Sequence, residues 1–380
     1  MQKQCSKIPK PEEFSDRRVI IDLDSLSNNY NIIKKYSPSS QVIAYVKGDA
    51  YGHGIVDVVR ELRNSGVTMF AVASINELIA IREHFSDVRV LVSSTYYCVN
   101  SLNIIARYSG DIVVFSQYHI DLLENITLPK KLNIWLKLNT GMNRMGISYK
   151  DLDKALCSLN KCISINKDNI VLMSHFACAD DNRSDMSEQQ LDRFISVTKN
   201  YHLRRSMANS SAILNYPDSH FDIVRPGLLL YGVSPLVTHD IRMKEFKPVM
   251  NVESRVIAIN TITKGDTVGY KAAWESSNDK KVAVVAFGYA DGYPVTLSKE
   301  ASVIINGYRC PVIARVSMDT MTVDVSHLPD VSVGVNVVLW GRELPVAEIA
   351  ASSGLITYEL LSRISKKRTC YIYKSRKCYA

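Results

Sequence analysis

The roughly 18 consecutive apolar residues that a membrane-spanning helix requires occur nowhere in the 380-residue sequence. The opening MQKQCSKIPKPEEFSDRR is polar and lacks the apolar core of an export signal. Both absences lead to the expectation of a cytoplasmic protein with no membrane partner. Low-complexity tracts are missing too, which leaves only the polar segment 1–16 as a candidate for disorder. Eight cysteines are scattered at 5, 98, 157, 162, 178, 310, 370 and 378. None forms a Cys-x-x-Cys pair and no His/Cys spacing suits zinc, so neither a disulfide framework nor a metal site is expected. Reduced thiols fit a cytoplasmic chain of this length. The net charge of +8 comes from dispersed basic residues, apart from SRISKKRTCYIYKSRK at 362–377. That run reads as a solvated face rather than a nucleic-acid interface.

What is present is rhythm. Short β-rich runs recur at 41–47, 68–74, 88–94, 111–116, 132–139, 169–176, 205–211 and 222–232. Between them lie stretches such as GIVDVVRELRNSG (54–66), INELIAIREHF (75–85) and SEQQLDRFISVTKNYH (187–202), whose apolar residues step by three and four. Eight strand–helix units predict an α/β fold, a (β/α)8 TIM-type barrel. An open doubly wound sheet is the alternative, but no G-x-G-x-x-G follows the first strand. MANSS makes the seventh strand the least β-like. Beyond residue 240 the sequence turns mainly β-rich, with an Asn-Gly hairpin signal at 306–307 and a glycine-interrupted helical pattern at 347–365. The expected division is a polar segment 1–16, a barrel domain 17–240 with a leading strand at 17–24, and a mainly β C-terminal domain 241–380. Pairing of the leading strand with the later domain is left open.

Barrels of this kind carry their chemistry at the C-terminal ends of the strands. Reading those ends gives Lys47, Asn139 with Arg144 beyond it, His175, Asn209 with Ser210, and Arg225. Lys47 ends the apolar run VIAYVK and opens into GDAYGHG. Desolvation and nearby cations there would favour a neutral amine, which can condense with an aldehyde. A snorkelling surface lysine is the plainer reading of that residue taken alone.

The stretch VIAYVKGDAYGHG resembles the pyridoxal 5'-phosphate attachment signature of alanine racemases. In chain order it is joined by LKLNTGMNRMG (136–146), SHFACAD (174–180), MANSSA (207–212), IVRPGLLLYG (223–232), VGYKAAW (268–274), FGYADGYP (287–294), RVSMDTMTVDV (315–325) and ITYELLSRIS (356–365). The resemblance covers both expected domains. It implies pyridoxal phosphate held covalently by Lys47, with Lys47 and Tyr270 as the two bases on opposite faces of the substrate. Lys47 would serve the D-isomer and Tyr270 the L-isomer. A tyrosine, with its pKa near ~10, needs cations around it, and His175 and Arg225 are the expected suppliers.

The resemblance also sets Arg225 against the pyridine nitrogen, where a permanent donor keeps the ring a weak electron sink and suppresses transamination. Tyr51, Ser210, Tyr358 and the amides at Gly227 and Leu228 would hold the phosphate, with Asn209 beside them. Ser210 reads equally as a helix N-cap. Arg144 and Met318 would bind the substrate carboxylate, and Tyr289 would limit side-chain size. Lys137 matches a lysine that is carbamylated in some members. Because Tyr270, Tyr289 and Met318 are far along the chain, the resemblance implies a head-to-tail homodimer with shared sites. The implied reaction interconverts L- and D-alanine, supplying D-alanine for peptidoglycan.

Three positions depart from the family pattern: Lys271 and Ala272 stand where a glycine and a small residue are more usual, and Asn139 stands where aspartate is common. Three rival readings differ from this pattern. A pyridoxal-phosphate-binding barrel without activity has no counterpart of the C-terminal domain. Decarboxylases of basic amino acids place an acid where Arg225 stands. A broader racemase, for serine among others, differs only in pocket size.

Overall fold

The computed structural model describes residues 15–375 apart from 182 and 273, so the polar segment 1–16 lies outside it but for its last two residues. The chain forms two compact units, Leu26–Phe246 and a second made of Met1–Ser25 with Lys247–Ala380. The leading strand β1 (Arg18–Asp22) belongs to the second unit, whose sheet it joins on both edges.

The first unit is the expected barrel. Its strands are β2 (Gln41–Tyr45), β3 (Met69–Val72), β4 (Arg89–Val92), β5 (Gly110–Val114), β6 (Ile134–Asn139), β7 (Ile147–Ser148), β8 (Val171–Met173), β9 (Arg204–Ser206) and β10 (Ile223–Val224). All pairings are parallel in the order β10-β2-β3-β4-β5-β6-β8-β9, with β7 a short addition beside β6. The Asp222 amide donates to the Arg205 carbonyl at 3.2 Å and the Arg225 amide to the Ala208 carbonyl at 2.9 Å, which nearly closes the ring.

Inward-facing side chains fill the barrel: Ile43, Met69, Ala71, Leu91, Val113, Trp135, Val171, Met173 and Ile223 form one buried cluster. Each large member contributes about 1.5–3 kcal/mol by leaving water. The outer helices follow their sequence period: in Ile55–Asn64 the residues Val58, Val59 and Leu62 are buried. One expected strand is shorter than its apolar run. After Val224 the chain meets Pro226, which has no N–H for a ladder, and Leu228–Tyr231 forms a 3-10 turn instead.

The second unit is built from β11 (Met250–Ile262), β12 (Thr267–Val268), β13 (Trp274–Glu275), β14 (Lys280–Val285), β15 (Ser302–Ile305), β16 (Tyr308–Ile313), β17 (Met321–Asp324), β18 (Asn336–Trp340) and β19 (Cys370–Lys374). Its main sheet runs β14-β17-β16-β15-β18-β11-β1-β19, and β14 also pairs with β11. The long β11 has three partners, β1 and β18 along its first half and β14 along its second, and its pairing with β14 shifts register at Val256/Ala258. Ile305 faces Tyr308 across the two-residue Asn306-Gly307 turn, both at positive φ, as the Asn-Gly signal predicts. The glycine-interrupted pattern resolves into helices Val346–Ser353 and Thr357–Ser362, with Gly354 left-handed at the break.

Candidate active site

Strand alternation explains why polar residues converge at the barrel mouth. Side chains two apart share a face, and the inward positions run Ile43, Tyr45 on β2, with Lys47 two residues further on, past a Val46 that is no longer extended. They run Trp135, Lys137 on β6, Val171, Met173, His175 from β8, and Ile223, Arg225 from β10. Each chemical group extends an apolar inward row by one step, which puts it on top of the hydrophobic plug. Four polar groups thereby stand at or just past the ends of four strands, Lys137 within β6 and Lys47, His175 and Arg225 beyond β2, β8 and β10.

Arg225 is the hub. Only 3% exposed, it donates from Nη1 to Ser206 Oγ at 2.8 Å. From Nη2 it reaches the Ser174 carbonyl at 2.5 Å, the Met207 carbonyl at 3.1 Å and His175 Nδ1 at 3.2 Å. The Tyr45 phenol lies beside the guanidinium, and burial raises its pKa while that cation opposes the rise.

Lys137, 7% exposed, has its pKa pulled down to about 8 by burial and by the positive charges of Arg225, Arg144 and Lys47. Lys47 sits at the mouth with one flank open to solvent. Burial of its ammonium and the nearby Arg144 lower its pKa, against the pull of Glu77. Arg144 is exposed on the loop after β6, and Asn139 accepts the Gly141 and Asn143 amides there, both at 3.1 Å.

One expectation changes here. Burial and four neighbouring cations push His175 well below the usual imidazole range. It is neutral at pH 7 and accepts from Arg225, so any positive field falls to Arg225 rather than to His175.

The loop after Lys47 is strained. Asp49, Ala50 and Tyr51 follow Gly48 in the left-handed region, at φ of 53°, 55° and 53°, where a non-glycine residue costs about 1–2 kcal/mol each. Backbone and side chains hold the turn: the Ile55 amide donates to Asp49 Oδ1 at 2.8 Å and Glu77 Oε1 accepts the Gly48 amide at 2.6 Å. Glu77 also caps its own helix through the reciprocal box with Ser74. Sequence reading missed Glu77 and Tyr45, although Ser74-x-x-Glu77 is a legible capping signature.

Tyr51, Ser210 and Gly227 come together. Ser210 Oγ accepts the Gly227 amide at 2.9 Å and the Leu229 amide at 3.4 Å. A Cβ built on Gly227 would collide with the Tyr51 hydroxyl. The N-cap of helix Ser210–Asn215 is Asn209, whose side chain accepts the Ala212 amide at 3.0 Å. Ser210 is therefore not the cap, and its hydroxyl faces the 227–229 amides.

Four sequence-selected residues lie in the second unit. Tyr270 stands in the β12–β13 turn and is 72% exposed; Tyr289, Met318 and Tyr358 are exposed as well. Tyr289 and Met318 are neighbours: the Tyr289 amide donates to the Ser317 carbonyl and the Ala290 amide to the Met318 carbonyl, each at 3.0 Å. Lys271 and Ala272 are left-handed, at φ of 65° and 51°, a conformation that suits the glycine usual in the family.

Comparison with known proteins bears on both units. Residues 21–235 match the family "Alanine racemase, N-terminal domain" and residues 249–373 the family "Alanine racemase, C-terminal domain". The chain is 38% identical over 349 residues to the alanine racemase of Haemophilus influenzae, covering 91% of this chain and 96% of that one. The biosynthetic alanine racemase of Pseudomonas aeruginosa superposes with a TM-score of 0.90 at 33% identity, over 95% of this chain and all of that one, 100%. The Bartonella henselae alanine racemase, solved with covalently bound pyridoxal phosphate, gives 0.86 at 27% identity over 95% of this chain and 100% of that one. With both domains matched in order, the chain belongs to the alanine racemase family and is an amino-acid racemase acting on alanine.

Proposed function

We propose that the protein racemises alanine with pyridoxal phosphate and two protein bases, Lys47 and Tyr270, in a homodimer whose sites draw residues from both subunits. The observation that supports this best is the inward-pointing set Lys47, Lys137, His175 and Arg225 beside a small-residue cradle at Gly227. The cradle fits a phosphate: the amides of Gly227 and Leu229 and the hydroxyls of Ser210 and Tyr51 meet where a Cβ on Gly227 would press on the Tyr51 hydroxyl. Those groups, with Leu228 and Tyr358, would hold the phosphate, and Arg225 would face the ring nitrogen. When bound, the cofactor supplies an aldehyde for amines and an electron sink that acidifies the substrate Cα–H.

The chain's own residues supply the rest. The lowered pKa of Lys47 makes its amine available as nucleophile and base. Arg144 and the Met318 amide would position the carboxylate. The openness of Tyr270 in the single chain fits a role completed by a second subunit. Among the described residues no helix is long and apolar enough to cross a membrane, and we place the reaction in the cytoplasm, supplying D-alanine for peptidoglycan. Incubation with L-alanine, L-serine and L-lysine separately, read by chiral chromatography, tests the activity. Racemisation of serine or lysine in preference to alanine would reject it.

Two further outcomes follow from the site. Glutamate at Arg225 would accept where arginine donates, so Arg225→Glu should lower racemisation roughly 10²–10³-fold, the usual scale for one electrostatic group. The same variant should form pyruvate from alanine, read with lactate dehydrogenase; no pyruvate would remove Arg225 from this role.

Lys137, with no paired carboxylate among the described residues and a pKa of about 8, presents a neutral amine to CO2 as pH rises through that value. We expect native mass spectrometry to find it carbamylated, with occupancy growing with pH and bicarbonate. Lys137→Ala should lose about tenfold in activity and regain part of it with acetate. An unmodified amine at every pH would refute carbamylation.

A further inference from the structure

Tyr289, which the family resemblance puts at the substrate's side chain, and Met318, which the proposed function puts at its carboxylate, sit on two irregular segments of the second unit. What holds these segments against each other is a buried ionic clamp that the sequence pattern does not reveal. Asp291, with its side chain 0% exposed, closes the turn that carries Tyr289 by accepting the Gly288 amide on Oδ2 at 2.9 Å. Arg17 Nε approaches the same oxygen at 3.1 Å, and Arg368 Nε meets Oδ1 at 2.7 Å.

Both arginines also reach the other segment. Arg17 Nη2 donates to the Asp319 carbonyl at 3.3 Å and Arg368 Nη2 pairs with Asp319 Oδ1 at 2.5 Å. Asp319 directly follows Met318. Each guanidinium thus straddles the two segments, one coming from the start of the chain and one from its far end. The segments are already in close contact, since a Cβ on Gly288 would overlap the Met318 carbonyl. The Ser365 amide ties the Asp291 carbonyl to the C-terminal segment at 3.1 Å.

Resting on that reading of Tyr289 and Met318, we propose that Asp291, Arg17 and Arg368 are positioning residues that set the gap between the two segments and so fix the enzyme's preference for the methyl side chain of alanine. A planar fork that bridges two carboxylates holds a distance as well as a charge. Loosening it lets Tyr289 and Met318 separate, which admits larger side chains and weakens the grip on small ones. The same network could serve stability alone, and the two roles differ in what they change.

The test compares Arg368→Ala and Asp319→Asn with wild type and with Tyr289→Ala, all as holoenzyme. Asp319→Asn cuts only the exposed end of the network, so it remains informative where Arg368→Ala folds poorly. The preference for L-alanine over L-serine in kcat/KM should fall about tenfold in Arg368→Ala, the low end of what one small group discriminates. The change should lie mainly in KM, with the cofactor absorbance unaltered and Arg368→Lys intermediate. Hydrogen exchange of the 288–290 amides should quicken about tenfold as the clamp opens, a readout independent of activity.

A loss of thermal stability with unchanged preference and exchange would reduce the network to a structural role and overturn the proposal. If Tyr289→Ala itself leaves the preference unchanged, the placement of Tyr289 at the substrate fails and the inference falls with it. If Tyr289→Ala shifts the preference and the clamp variants do not, the site reading stands and the clamp alone is wrong.

Discussion

Lys47→Ala is expected to lower alanine racemisation about 10⁴-fold or more, beyond the usual range for loss of one general base, because on the proposed reading the same side chain is also the covalent anchor. Lys47 follows the inward-facing Ile43 and Tyr45 by two residues and stands directly before the left-handed turn at 48–51. Burial and Arg144 lower its pKa, so the neutral amine is more accessible than for a lysine in water. The variant should keep its fold, because the hydrogen bonds of the turn run through Asp49 and Glu77 rather than the lysine side chain.

The sign of the stability effect follows from linkage. A lysine whose folded pKa lies below its unfolded value leaves the unfolded chain with more bound protons between the two values, so stability rises with pH across that window. At neutral pH, below the unfolded value, the lowered pKa means that this lysine costs the fold something, and alanine should leave the protein equally or more stable. The gap between variant and wild type should close above the unfolded lysine value of ~10.4. The readouts are loss of the ~420 nm band of the lysine-linked cofactor, a Tm no lower than wild type at pH 7, and partial rescue by methylamine. Retention of the band would mean that another amine holds the cofactor.

The barrel and its rim were legible because they are written in local patterns. Eight apolar runs spaced by helical periods specify the strands, and period-two alternation aims Lys47, Lys137, His175 and Arg225 inward without any long-range information. The features that sequence reading missed depend on contacts that alternation does not encode. The charge of His175 is set first by burial and then by four cations from other parts of the chain, so its residue type says nothing about its protonation. Ser210 looks like an N-cap by its place before an apolar stretch, but Asn209 one residue earlier does the capping and frees the Ser210 hydroxyl for the 227–229 amides.

Arg368 lies in the basic run 362–377 that reads as a solvated face, yet its Nε pairs with a carboxylate that is fully buried. Asp291 and its two arginines are separated by 274 and 77 positions in sequence, beyond the reach of any spacing rule. β1 behaves likewise: the strand precedes the barrel in sequence, but its register with β11 and β19 puts it in the other sheet. The resemblance to a family selected Tyr270, one of twenty tyrosines; nothing local distinguishes it.

Tyr270→Phe removes the proposed second base and should suppress racemisation by about 10²–10⁴-fold, the range for a single proton-transfer group. Because L- and D-alanine are equal in free energy, kcat/KM must fall equally in the two directions, and net rates cannot reveal which face was lost. Exchange with solvent can. In D2O, D-alanine should still take up deuterium at Cα through Lys47 with retention of configuration, whereas L-alanine should not. Equal exchange into both isomers would show that Tyr270 is not the base for the L-isomer.

The same variant tests where the second base comes from. If each site takes Lys47 from one subunit and Tyr270 from its partner, a hybrid of Lys47→Ala and Tyr270→Phe chains holds one intact site and one lacking both groups. Random exchange of equal amounts makes half the dimers hybrid, so activity should return to roughly a quarter of wild type by the statistics of a two-fold assembly. Each variant alone should stay inactive. Failure to recover activity after subunit exchange has been verified by mass would mean that both bases of a site belong to a single chain.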